Sequence, residues 1–278
     1  MGTKDKQWLT LDDGSRWLFK YARESQGVTR NEDWAEWASW RVAVSLRVPA
    51  AEVVPATHEG RRGVLSKSIV PAPAARLEHG NELLQKKLPG YLAAESRHNP
   101  EYTVDAVRTA LDGVAPPFGF GELSRFTAFD VWASFLVLDA IIAGRDRHHE
   151  NWAIVDDAGV RWLAPSYDHG NSLGFQESEE RVCSLLSDGE RLTTWLNRGT
   201  SHHFVGRPQL VSLACQALSL CSATARDYWV DSLHNVAFAS LRDSLDTVPK
   251  TAMSDVRRRF VLSLLEANWR RLIDELAS

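Results

Sequence analysis

The sequence predicts an α+β chain of two unequal lobes, a small β-rich N-lobe over residues 1–70 and a large helical C-lobe over 71–278. Three observations predict it. Short apolar runs bounded by turn residues recur through the first seventy positions, with a single helical stretch among them. Pro71-Ala72-Pro73 makes the sharpest break in composition, because proline donates no ladder hydrogen bond and drives the residue before it out of helix. Beyond that break apolar residues recur every three to four positions almost throughout, the exception being 145–175. The length permits the plan: 278 residues, 44% of them hydrophobic, are enough to bury roughly 75% of the unfolded surface without metal or disulfide staples.

Taken in order, Trp8–Leu11 and Arg16–Tyr21 flank the turn Asp12-Asp13-Gly14 and read as a hairpin that carries Lys20. From Asn31 the spacing turns helical, with Trp34, Trp37, Ala38, Arg41, Val42 and Ser45 on one face; Asn31 is the expected cap, and Pro49 bars continuation. Strands follow at 51–56 and 63–70 around the polar turn His58–Arg61. In the second lobe, helices are expected at about 101–111, 123–143, 208–222, 225–241 and 254–276, and 77–82 reads as the start of a Gly-containing helix. The apolar run 131–143 is about half a membrane span and carries Asp139, so it is a buried core helix. Within 145–175, Trp152–Val155 and Val160–Leu163 flank Asp156-Asp157-Ala158-Gly159 and predict a second hairpin.

Composition narrows the function classes. Lys and Arg number 32 against 36 Asp and Glu, a net charge of −4 that offers no footprint for a phosphate backbone or an anionic membrane. Cys183, Cys215 and Cys221 contain no C-x-x-C and read as buried thiols in a reducing compartment. No export signal follows Met1, and a cytoplasmic protein is expected. His148-His149 and His202-His203 lack the spacing of a zinc site, and no P-loop or dinucleotide fingerprint occurs. Arg257-Arg258-Arg259 reads as a solvated helix face.

The polar loops around the second hairpin carry the chemistry. Gly144-Arg145-Asp146-Arg147-His148-His149-Glu150-Asn151 leads in, and Ala164-Pro165-Ser166-Tyr167-Asp168-His169-Gly170-Asn171 leads out. Asp146 and Asn151 form D-x-x-x-x-N, and Asp168 follows across the hairpin. Phosphoryl transfer from ATP needs such parts: one carboxylate to take the proton of an acceptor hydroxyl, and oxygen ligands that hold magnesium against the phosphates. The order of hairpin lysine, acidic helix, lobe break, D-x-x-x-x-N, hairpin and Asp is that of a two-lobed kinase. Lys20 would then grip the α- and β-phosphates, and Glu32 or Glu36, with Glu36 preferred, would hold Lys20 in place.

Together Gly2–Lys6, Trp17-Leu18-Phe19-Lys20, Asp146–Asn151 and Leu163-Ala164-Pro165-Ser166-Tyr167-Asp168 resemble the kinase core of the HipA-like family, in which D-x-H-x-x-N followed by L-A-P-x-[YF]-D is distinctive. The resemblance runs from Gly2 to about Phe175. It implies a protein-kinase-like fold related to the phosphatidylinositol kinases, with ATP and Mg2+ as cofactors and a Ser or Thr of a protein as acceptor. By this match Asp146 is the catalytic base, His148 orients its loop, Asn151 and Asp168 bind magnesium, and Lys20 with Glu36 binds the nucleotide. Gly2 and Lys6 match the end of the phosphate-covering loop, with no serine between Met1 and Lys6, so regulation through the autophosphorylated loop serine of HipA toxins is not expected. The family also implies a toxin role, a translation factor or aminoacyl-tRNA synthetase as substrate, and a small DNA-binding antitoxin as partner. Two other readings share the fold: a small-molecule kinase suited to a cationic metabolite, and a nucleotide-binding pseudokinase acting through a partner.

Overall fold

The computed structural model describes residues 5–25, 28–72, 74–95 and 99–278, so the predicted site residue Gly2 lies outside the described residues. Strands β1 (Lys6–Thr10) and β2 (Arg16–Tyr21) form an antiparallel hairpin, with Lys6 opposite Lys20. The turn closes where Gly14, at φ 78, donates its N–H to the Leu11 carbonyl. A two-residue pair, β3 (Glu24–Ser25) and β4 (Val28–Thr29), leads into helix α1 (Glu32–Ser45). Strands β5 (Val53–His58) and β6 (Arg61–Lys67) complete a four-stranded antiparallel sheet of order β1-β2-β6-β5. Their connection, Glu59-Gly60, places both residues at positive φ, the twist that suits a tight hairpin. Asn31 stands at the α1 N-cap position, but its side chain makes no cap hydrogen bond.

Helix α1 is buried on more than its expected face. Trp34, Trp37, Ala38 and Val42 are buried, and so are Glu32, Asp33, Glu36 and Ser39, because the helix lies between the sheet and the helical remainder of the chain. Two backbone bonds stitch this junction: Ala51 N–H donates to Ser166 O, and Ser166 N–H to Pro49 O.

After the Pro71 break comes a strand that the sequence pattern did not distinguish from a helix start. β7 (Arg76–His79) runs directly into α2 (Gly80–Lys87). α3 (Val104–Ala110) follows, and then α4 (Ala128–Ile142), all fifteen of whose residues are buried. α4 begins at 128 rather than 123, because Thr127 and Asp130 form a reciprocal capping box there. Strands β8 (Ala153–Asp157) and β9 (Val160–Leu163) make the second hairpin, and β7 pairs with β8 to give a three-stranded sheet.

The remaining helices are α5 (Glu179–Leu186), α6 (Gly189–Asn197), α7 (Leu210–Ser219), α8 (Ala223–His234), α9 (Phe238–Asp246) and α10 (Asp255–Ala277). The single helix expected over 225–241 is two, since the Asn235 side chain turns back onto Asp231 and closes α8. Two further expectations fail. Arg257 and Arg258 are buried, not solvated: Arg257 donates to the Gly174 and Glu177 carbonyls, and Arg258 to those of Leu245 and Val248. Cys183 is exposed, because α5 buries Val182 and Leu185 and turns the next position toward solvent. Among the described residues no helix is long and apolar enough to cross a membrane.

Candidate active site

Lys20 is the penultimate residue of β2, paired on one side with Lys6 of β1 and on the other with Val64 of β6, so its backbone is fixed by two ladders. Its ammonium reaches out of the sheet to two carboxylates. Nζ lies 2.5 Å from Glu36 Oε1 and 3.2 Å from Asp168 Oδ1. Burial works against the lysine charge, yet Asp168 and Glu36 outweigh it and raise the pKa above its ordinary value. Glu32 faces elsewhere and pairs with Arg23 at 3.1 Å. Lys6 is exposed at the first position of β1; directly opposed residues of an antiparallel pair share a sheet face, which puts it on the Lys20 side.

The loop after α4 is built around a buried ion pair. Ala143 leaves the helix in the left-handed region, at φ 53, and Gly144 N–H returns to Asp139 O at 2.8 Å. Arg147 donates Nε and Nη2 to the two oxygens of Asp139 at 2.8 and 2.9 Å, and Nη1 to Asn151 O at 2.7 Å. Two charges can be buried only if they are paired and their remaining polar atoms are satisfied, and here one guanidinium spans the loop and meets that condition. Asn151 Nδ2 donates to Asp146 O at 2.6 Å and closes the loop on itself. His148 Nδ1 accepts the Glu150 N–H at 3.1 Å, and its ring meets His203 edge-on at 5.1 Å.

Asp146 projects from this loop toward a residue far along the chain. Its Oδ1 lies 2.7 Å from His203 Nε2, and the Asn171 side chain bonds the same carboxyl. Burial pushes the Asp146 carboxyl up, but these hydrogen bonds and the interaction with His148 hold it below the ordinary aspartate value. Asp168 stands in the left-handed region at φ 61, a conformation that aspartate tolerates better than most residues. Next to it Ser166 and His169 pair at 2.7 Å, and Tyr167 OH donates to Glu150 O at 2.9 Å, which locks the two loops side by side. Asp146, Asn151, Asp168 and Asn171 line one cleft.

The structure therefore brings Lys20, Glu36, Asp146, Asn151 and Asp168 to one region, with His148 in the supporting loop. Asn151 and Asp168 present amide and carboxylate oxygen chemistry, which fits magnesium rather than a softer ion; among the described residues no group of three or more His, Cys, Asp or Glu could hold a metal. His203 and Asn171 are contributions that motif reading missed. Asn171 lies three residues past Asp168 and was within reach of a sequence argument. His203 carries no local signal, because 57 residues separate it from Asp146.

No family model matches the chain, and no curated protein matches it in sequence. Solved structures do. The chain is similar to the Helicobacter pylori proinflammatory kinase CtkA with a TM-score of 0.71 at 16% identity, over 99% of this chain and 94% of that one. It is also similar to HipA of Shewanella oneidensis MR-1, solved as a toxin–antitoxin complex with HipB and operator DNA. There the TM-score is 0.59 at 12% identity, over 99% of this chain and 66% of HipA. At such identities the likeness establishes the fold: the mixed α+β architecture is that of HipA-like kinases.

Proposed function

We propose that this chain, folded as the HipA-like kinases are, transfers the γ-phosphoryl group of ATP to a Ser or Thr hydroxyl of a protein, with residues 1–70 covering the nucleotide and 71–278 receiving the acceptor. The observation that carries the reading is the placement of Lys20 against both Glu36 and Asp168, opposite a loop that presents Asp146. A lysine with two carboxylate partners is oriented and permanently charged, ready for nucleotide phosphates. Asn151 and Asp168 would hold magnesium, which supplies neutralisation of phosphate charge.

Asp146 accepts the hydroxyl proton as the acceptor oxygen forms its bond to the γ-phosphorus and the bond from that phosphorus to the bridging oxygen of ADP breaks. A carboxyl held below its ordinary pKa is ionised and available as this base at neutral pH. His203 and Asn171 fix the carboxylate plane, and Arg147 fixes the loop beneath it. The pseudokinase reading explains none of this convergence. A partner of the HipB kind belongs to HipA in its solved complex, and an antitoxin partner is proposed here on that likeness. Cytoplasmic location is proposed with it.

Incubation with labelled ATP, magnesium and a cell lysate should label at least one protein, and Asp146→Asn should reduce that labelling by 100-fold or more, the scale of a lost general base. Equal labelling by the wild type and the variant sinks the assignment.

A further inference from the structure

A second cavity, of about 330 Å³, adjoins the Asp146 cleft and shares Asn171 and Ser172 with it as a common wall. Three further connections tie it to the proposed base. Arg145, in its lining, is the chain neighbour of Asp146. His202, also in the lining, donates its backbone N–H to Arg145 O at 3.1 Å and precedes the histidine that bonds Asp146. Gln176 Nε2 donates to Asn171 Oδ1 at 3.1 Å, and Asn171 bonds Asp146 in turn. An occupant of this cavity is thus one hydrogen-bonded step from the carboxylate that would take the hydroxyl proton.

The charge of the lining runs against that of the chain. The whole sequence is net −4, yet Arg145, Arg198 and Arg271 line the cavity against one carboxylate, Glu177, whose Oε1 accepts from Trp195 Nε1 at 3.3 Å. Arg145 spends Nε on the Thr200 carbonyl, and Arg271 spends one Nη on Asn268. Among the described residues the carboxylate that acts on Arg271 is Glu275, four residues on along α10, through space rather than by a hydrogen bond. Burial pushes the Arg271 guanidinium below its ordinary value, and Glu275 offsets that push only in part. Arg145 and Arg271 are half-buried and Arg198 is exposed at the rim, so an anion in the cavity meets guanidiniums that are partly desolvated, and the guanidinium fork matches carboxylate and phosphate geometry.

We infer that this cavity receives an acidic group of the acceptor, the carboxylate of Asp or Glu or the phosphate of a phosphorylated residue, so that the substrate is a Ser or Thr flanked by negative charge. The inference rests on the kinase reading above and narrows it. A cationic metabolite is the wrong charge for this lining.

Peptide pools with a fixed Ser or Thr, flanked by Asp/Glu, by phosphoserine or by Lys/Arg, test it with labelled ATP and the full chain. Acidic or phosphorylated pools should be labelled at least tenfold more efficiently than basic ones, and whichever of the two leads identifies the anion. Arg198→Glu and Arg271→Glu should each cut that preference ratio about tenfold; the ratio is internal to each protein, so loss of folded enzyme does not imitate the effect. Equal labelling of all pools, or a ratio unmoved in both variants, overturns the inference. A calorimetric titration of the Asp146→Asn protein with an acidic peptide carrying Ala at the acceptor position separates this from the kinase reading. Binding there that Arg198→Glu weakens about tenfold supports the cavity even where no pool is phosphorylated, and absence of binding there overturns it.

Discussion

Asp146 and His203 meet at 2.7 Å although they come from different loops, and this contact decides how the carboxylate can act. A hydrogen bond to an ionised group contributes about 1.5–3 kcal/mol, and one made to the proposed base would be expressed in the chemical step. His203→Ala should lower kcat about 10–100-fold, the same energy expressed as a rate, and leave the KM for ATP in place. His203→Gln, which can still donate, should recover part of the loss. A variant whose KM rises while kcat holds would show His203 serving the fold alone. At this scale Asp146, Asn151 and Asp168 were legible because one hairpin presents them within 23 residues of chain. Lys20 and Glu36 were legible because a lysine strand followed by an acidic helix is itself an order. His203 was not, since its role exists only where α6 and α7 bring their connecting loop back to the Asp146 loop.

Among the elements, the β7–α2 junction is tightly specified. A Cβ on Gly80 would stand 2.2 Å from Trp152 Cε2 and 2.5 Å from His149 O, while Gly80 N–H already donates to Trp152 O and Asn81 N–H to His149 O. The glycine lets α2 begin against the backbone of the loop that carries Asp146. Gly80→Ala should therefore cost about 1–3 kcal/mol, as overpacking of a closed site does, and lower the melting temperature by about 2–10 °C. An unchanged melting temperature would mean the junction yields freely. Sequence pattern found the helix start here but not the strand, because four residues of β7 have no ladder partner until β8 arrives from 77 residues away. The same limit hid the division of 225–241: apolar spacing continues through Asn235, and the break is made by a side chain folding back on its own helix.

For the whole molecule, the Lys20 ammonium is the point where the N-terminal sheet, α1 and the Asp168 loop converge. Ser39 of α1 supports it from behind, with its Oγ 2.8 Å from Ser172 Oγ in a buried contact. Helix and loop thus hold the lysine in place. Magnesium and a non-hydrolysable ATP analogue at about 100 times the dissociation constant should stabilise the protein by about 2.7 kcal/mol. Glu36→Gln removes one of the two carboxylates that orient Lys20 and should weaken the analogue at least tenfold. A thermal-shift titration checks both, and identical binding to the wild type and the variant would detach Glu36 from the proposed nucleotide site.

By itself the sequence determined the class of the fold, the hairpin lysine, the acidic helix, and the ordered pair of loops around 146–151 and 168, since those depend on local spacing, turn chemistry and chain order. Only the tertiary structure decided which glutamate meets Lys20, that His203 and Asn171 hold Asp146, that Arg257 and Arg258 are buried, and that three arginines gather in a chain of net negative charge. Those outcomes depend on burial and on contacts between residues far apart in the chain, and neither has a period or a motif to announce it.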